Sequence, residues 1–281
     1  MKRYSAILMD IDGTFLDSND GVSRNTKNLL NRLRKKGALI ALATSKSPGE
    51  VEFAARQADV TASAICYGGS LILDENRSII ADTGIEPNVA LAFKAFVNGH
   101  FPDISFNSYL YDIWLSDRPE EDELWRLAEM SRKEPLRGDL ASALRTTSRV
   151  HKFLCAGPPQ SVQKLRESAE MMFPTLRFAL SGAIYLEAFR KGVSKCAAMK
   201  IIRRHYHIDL AQMVVIGVSY ADIETLREAG LGIAMGNAPE IVQNAANRVT
   251  ASNDDEGVYI ALKGLRFQPP GNPDAASSAD A

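Results

Sequence analysis

A chain of 281 residues with 46% hydrophobic content can bury a sizeable core, in one large domain or two modest ones, and two is the reading adopted. Lys and Arg number 33 against 34 Asp and Glu, a net charge of -1 with the basic residues spread along the chain, which argues against nucleic acid as the main ligand. No apolar run approaches the ~20 residues that span a bilayer, and the N-terminus lacks a signal-peptide pattern, so the expectation is a cytoplasmic protein with no membrane contact.

Apolar runs alternate with amphipathic stretches from the start. A strand over Tyr4 to Met9 precedes a helix over Ser23 to Lys36, with Ser23 as N-cap and Gly37 as the glycine that ends it. A strand over Ala38 to Ala43, a helix over Pro48 to Gln57 and a short run near Ala64 to Tyr67 follow, then a hairpin of Leu71 to Asp74 and Ser78 to Ala81. This alternation implies parallel strands with helices on both faces, a doubly wound, Rossmann-like α/β sheet.

Between Glu86 and Leu180 the pattern changes to helices near Val89 to Asn98, Glu120 to Arg132 and Pro159 to Phe173, mixed with short strands at Ile104 to Asn107, Ile113 to Ser116, Val150 to Cys155 and Arg177 to Ala179. The alternation resumes after Ile184 to Phe189, with helix Val193 to His205, strand Met213 to Gly217, helix Ile223 to Ala229, strand Leu231 to Ala234 and helix Pro239 to Ala245. The expected organisation is a discontinuous core over 1–85 and 181–267, an α/β domain inserted at 86–180, and a disordered Pro, Ala, Ser and Asp-rich tail at 268–281. Hinges are expected at Thr83 to Pro87 and Ser181 to Ile184. Cys66, Cys155 and Cys196 suit neither a disulfide framework nor a zinc pattern and read as ordinary buried or half-buried thiols.

The chemistry concentrates where the first strand ends, in Asp10-Ile-Asp-Gly-Thr14. In an extended segment residues i and i+2 face the same side, so Asp10 and Asp12 converge before Gly13 turns the chain away. A carboxylate can attack phosphorus and form an aspartyl-phosphate, while a neighbouring acid protonates the departing oxygen and later deprotonates water. Thr44 after the second strand, Lys195 at a helix start and Asp222 after the Met213 to Gly217 strand stand where doubly wound sheets bind ligands. Each has an ordinary explanation alone, as a helix-entry residue, a solvated lysine and an N-cap.

In this order the residues resemble the haloacid dehalogenase-like superfamily, in its Cof-type sugar-phosphate phosphatase branch. The matching landmarks are Asp10 to Thr14, Ala43-Thr44, Lys191-Gly-Val-Ser-Lys195, Ala229-Gly-Leu-Gly-Ile-Ala-Met-Gly-Asn-Ala238 and Ser252-Asn-Asp-Asp-Glu-Gly-Val258. The resemblance implies a parallel-sheet core with an inserted α/β cap, and Mg²⁺-dependent hydrolysis of a small phosphorylated metabolite through an aspartyl-phosphate. It makes Asp10 the nucleophile and Asp12 the general acid/base. Thr44, Ser45 and Lys195 become phosphate-binding residues, and Asp10, Asp12 (through its backbone carbonyl) and Asp222 the metal ligands.

The match departs from the family's pattern at its acidic loop. The family reads Gly-Asp-x-x-Asn-Asp there, whereas this chain has Gly217-Val-Ser-Tyr-Ala-Asp222, with Val218 for an Asp and Ala221 for the Asn. Ser45-Lys46 also replaces a Gly-Arg, and Tyr67-Gly68-Gly69 stands where Asn-Gly is usual. Val218 offers a cation no oxygen, so water or Asp254 or Asp255 would have to complete its shell. Two other readings stay open: a catalytically weakened protein that binds a phospho-ligand or partner, and a phosphomutase-like phosphotransferase. Tyr109, Tyr111, Trp114 and Trp125 are candidates for a pocket wall, with core packing the commoner role; the sequence names neither the substrate nor the oligomeric state.

Overall fold

The computed structural model describes residues 2–118, 124, 128–129 and 133–271. The expected helix over Glu120 to Arg132, Trp125 included, falls largely outside the described residues, as does the tail beyond Gly271. The described residues fall into two compact units, one lying within 1–45, 51–81 and 194–281, the other within 46–50 and 82–193. No helix among the described residues is long and apolar enough to cross a membrane.

The first unit is built on an eight-stranded sheet. Its parallel centre runs Leu231–Ala234, Met213–Gly217, Ala6–Asp10, Leu39–Ala43, Ser63–Cys66, with Met9 opposite Ile216 on one side and Asp10 opposite Ala43 on the other. All four residues preceding Asp10 in its strand are buried, the continuous apolar run expected of a strand covered on both faces. The helix Arg24–Lys35 begins at Ser23, whose side chain accepts from the Thr26 amide, and gives way to Gly37 at φ 85°. The Leu71–Leu73 and Ile79–Asp82 strands close one edge of the sheet, Leu71–Leu73 pairing antiparallel with Ser63–Cys66. At the other end of the chain, Arg266–Phe267 pairs in parallel with Arg3–Tyr4, a contact without a sequence signal because each strand is two residues long.

The second unit has its own six-stranded sheet, in which Ser105–Leu110, Lys152–Ala156, Tyr185–Arg190 and Leu176–Leu180 are successive antiparallel neighbours. Helices Pro87–His100 and Pro159–Met172 supply Phe93, Val97, Val162 and Leu165 to a core shared with Phe106 and Phe153 of this sheet. The ring of Phe93 lies 5.2–5.7 Å from those of Phe106, Phe153, Phe173 and Phe178. The unit therefore extends to Val193, beyond the boundary expected at residue 180, because Tyr185–Arg190 hydrogen-bonds between two strands of this sheet and not in the first. Ser181 to Ile184, expected as a hinge, is a hairpin turn inside the unit, closed by the Ser181 amide on the Tyr185 carbonyl at 3.0 Å.

Tyr109 and Trp114 are buried and stacked 5.4 Å apart, with the Trp114 indole N–H donating to Asn107 at 2.9 Å. Both serve the interior of the second unit. Tyr111 instead donates its hydroxyl to Asp82, which also faces the buried His151 ring. Cys66, Cys155 and Cys196 are buried free thiols.

Candidate active site

The polar groups of the first unit gather at the carboxyl ends of its central strands. Asp10 is the last residue of the Ala6–Asp10 strand and is only 8% exposed. Its Oδ1 accepts the Ile11 amide at 2.8 Å. The chain then makes a wide turn over Ile11–Phe15, closed by the Leu16 amide on the Ile11 carbonyl, in which Gly13 takes the left-handed φ of 67°. Asp12 is exposed on this turn and retains extended dihedrals, φ -72° and ψ 127°.

Lys195 opens the helix Lys195–His205, whose N-cap Ser194 accepts the Ala197 amide. Its ammonium lies 2.8 Å from Asp10 Oδ1 and 2.8 Å from Asp222 Oδ1. Asp222 reaches this place from a short turn after the Met213–Gly217 strand. Its Oδ2 accepts the Val218 amide at 3.1 Å, the Ser219 amide at 2.9 Å and the Ser219 hydroxyl at 2.8 Å. Gly217 makes room for that carboxyl: a Cβ there would stand 2.6 Å from the Asp222 Cβ.

One ammonium between two buried carboxylates gives unequal effects. Burial pushes Asp10 up to about 7, Lys195 pulls it back in part, and Asp222 adds to the rise. Burial acts the same way on Asp222, but Lys195 and the Ser219 donors outweigh it and hold this carboxyl below its ordinary value. Burial disfavours the Lys195 cation too, yet the two carboxylates raise its pKa above the usual lysine value. Asp222 is thus the stable anion of the set, and Asp10 the one whose charge is costly.

Thr44 is buried directly after the Leu39–Ala43 strand. Its amide donates to Ile65 at 2.9 Å and its carbonyl accepts from Gly68 at 2.8 Å, which ties it to the turn Tyr67–Gly69. Ser45 beside it is exposed. Three of the expected residues, Asp10, Lys195 and Asp222, therefore touch one another, while Asp12 and Thr44 flank them at the ends of the same strand layer.

The donor set fits a hard divalent cation through fewer protein oxygens than expected. Asp222 is committed to Lys195 and the Val218–Ser219 amides. Asp254 spends both oxygens on the Ser18 amide and hydroxyl, at 2.8 and 2.7 Å, and Asp255 accepts from Ser252. Val218 turns methyl groups toward Gly13, where a Cβ would lie 3.6 Å from one of them. The Asp10 carboxylate and the Asp12 backbone carbonyl would hold the ion, which suits Mg²⁺, a cation that keeps several waters and is completed by substrate phosphate.

Two residues with no expected role also reach the Ile11–Phe15 turn and its exit. Asn237 donates to the Gly13 carbonyl at 2.9 Å and Asn253 to the Leu16 carbonyl at 3.1 Å. The sequence held a signal for them, since both lie in stretches matched to the family, but the motif carries no indication of what an asparagine side chain grips.

Residues 7–262 match the family model of haloacid dehalogenase-like hydrolases. A Haemophilus influenzae protein provisionally named a phosphatase is 26% identical over 261 residues, covering 92% of this chain and 97% of its own. The 5-amino-6-(5-phospho-D-ribitylamino)uracil phosphatase YcsE of Bacillus subtilis is 22% identical, with 92% of this chain and 94% of the relative covered. Among solved structures, a Thermotoga maritima protein superposes with a TM-score of 0.86 at 24% identity, over 93% of this chain and 97% of that one, and shares the fold.

Proposed function

The chain belongs to the haloacid dehalogenase-like hydrolases, and from that premise we propose that it hydrolyses small phosphorylated metabolites through an aspartyl-phosphate on Asp10, with Mg²⁺ as its cation. The observation that carries this reading is the Lys195 ammonium held 2.8 Å from both Asp10 and Asp222 at the strand ends. The phosphatase names of the H. influenzae and B. subtilis relatives support the reaction class. The same names support a phosphorylated metabolite as substrate, a ribitylaminouracil phosphate in the B. subtilis case.

Asp10 attacks phosphorus, the ester P–O bond breaks, and the departing oxygen takes a proton from the Asp12 carboxyl. Asp12, now ionised, takes a proton from water as that water attacks the phosphoryl group; the Asp10–phosphorus bond breaks and phosphate leaves. Lys195 offsets in part the cost that burial places on the Asp10 anion, and Asp222 keeps Lys195 in place while its own charge is fixed by the loop amides. Thr44 and Ser45 bind phosphoryl oxygens beside them. Mg²⁺, when bound, neutralises charge on the transferring group.

A second reading is favoured by Val218: with methyl groups where the family places a carboxylate, the chain would retain phospho-ligand binding and lose turnover. Replacing Val218 with Asp separates the two. Under the proposal, wild type releases phosphate from an aryl phosphate in a Mg²⁺-dependent manner, and Val218→Asp lowers the Mg²⁺ concentration for half-maximal rate by roughly tenfold or more. Tighter Mg²⁺ binding in the variant, measured calorimetrically, with no phosphate release from either protein would favour the binding-only reading.

A further inference from the structure

The turn that carries Asp12 is gripped by the segments that follow two other strands of the same sheet, Leu231–Ala234 and Arg248–Val249. Asn237 Nδ2 donates to the Gly13 carbonyl at 2.9 Å, and Asn237 Oδ1 accepts the Asn253 amide at 3.4 Å. Asn253 Nδ2 donates to the Leu16 carbonyl at 3.1 Å, and Asp254 holds the Ser18 amide and hydroxyl. Side chains from Gly236-Asn237-Ala238 and Ser252-Asn253-Asp254 thus hold backbone groups of residues 13, 16 and 18 in succession. At Gly13 the fit is close on two sides, since a Cβ would lie 3.4 Å from Asn237 Nδ2 and 3.6 Å from Val218 Cγ1. Gly13 also takes the φ of 67° that turns the chain directly after Asp12. The direction in which Asp12 leaves the strand therefore depends on where the Gly13 carbonyl is held.

We propose that Asn237 is a positioning residue for Asp12, fixing the Gly13 peptide so that the Asp12 carboxyl is presented to the leaving-group oxygen. The proposal rests on the reading of Asp12 as general acid/base. Asn237 is exposed, so its hydrogen bond adds little to stability and its variants fold. What the bond supplies is geometry, and in the phosphoryl-transfer step a misplaced acid costs rate only where the leaving group needs its proton, whereas the later attack of water is common to both ester types.

The test measures kcat, KM and the pH profile of Asn237→Ala and Asn237→Asp in the full chain, beside Asp12→Asn, on an aryl phosphate and an alkyl phosphate. Alanine removes the donor, and aspartate puts an acceptor against the Gly13 carbonyl. Both should lower kcat/KM, which reports the steps through departure of the leaving group, by roughly 10- to 100-fold on the alkyl ester, leave kcat/KM on the aryl ester within about threefold, and reproduce in part the split shown by Asp12→Asn. Equal losses of kcat/KM on both esters, or no loss on either, overturn the positioning role while Asp12→Asn retains its split. A lack of leaving-group dependence of kcat/KM in Asp12→Asn itself overturns the acid/base reading, and the role of Asn237 with it.

Discussion

Asp10 is the least comfortable residue of the site. Its carboxyl is pushed up to about 7 from an ordinary 3.8, mainly by burial, because Lys195 is shared with Asp222 and Asp222 has the better supply of donors. A group whose folded pKa is raised favours the fold fully below its unfolded value and loses that contribution as pH rises through the folded one. With a chelator present to keep cations out, wild type should therefore lose stability relative to Asp10→Asn between the ordinary value of 3.8 and about 7. The gap above that range should be on the order of a few kcal/mol. Denaturant unfolding of both proteins across this window checks it; parallel curves would mean that Lys195 compensates Asp10 fully. Asp222, shifted the opposite way, loses its contribution only as pH falls below 3.8, and does so in both proteins. The sequence shows the two acids and the lysine but not this inequality, which comes from which amides each carboxylate meets.

The elements that deliver these side chains meet through glycines. Gly69, at φ 112°, lets the Tyr67–Gly69 turn seat against the start of the Lys195 helix, where a Cβ would lie 2.5 Å from the Ser194 carbonyl. Gly69→Ala should cost about 1–3 kcal/mol in unfolding free energy, and phosphate release should fall as well, since Ser194 caps the helix that begins with Lys195. Wild-type stability and rate in this variant would show that the helix start yields without consequence. Much at this scale was legible: the strands Met213–Gly217 and Leu231–Ala234, the Ser23 cap and the Gly37 stop all stand where pattern and capping put them. The asparagine grips on residues 13 and 16 were not, because a side chain to carbonyl contact 224 or 237 positions away leaves no periodicity.

For the whole molecule, the two sheets were legible as a change of pattern near residue 86, but the return was misplaced. Tyr185–Arg190 is a short run with three apolar residues, Leu186, Ala188 and Phe189, at its centre, and its antiparallel partners assign it to the second unit. The chemistry argued above belongs to the first unit, whose strands bring Asp10, Lys195 and Asp222 together from positions far apart in the chain. Under the proposed function, phosphoryl transfer passes through Asp10. Acid quenching of the Mg²⁺-loaded protein within one turnover of an aryl phosphate, followed by peptide mass spectrometry, tests this directly. A transient acyl-phosphate on Asp10 is expected, absent from Asp10→Asn, which should also release no phosphate. Phosphate release by Asp10→Asn at the wild-type rate, or a phosphoryl group trapped on another residue, would contradict it.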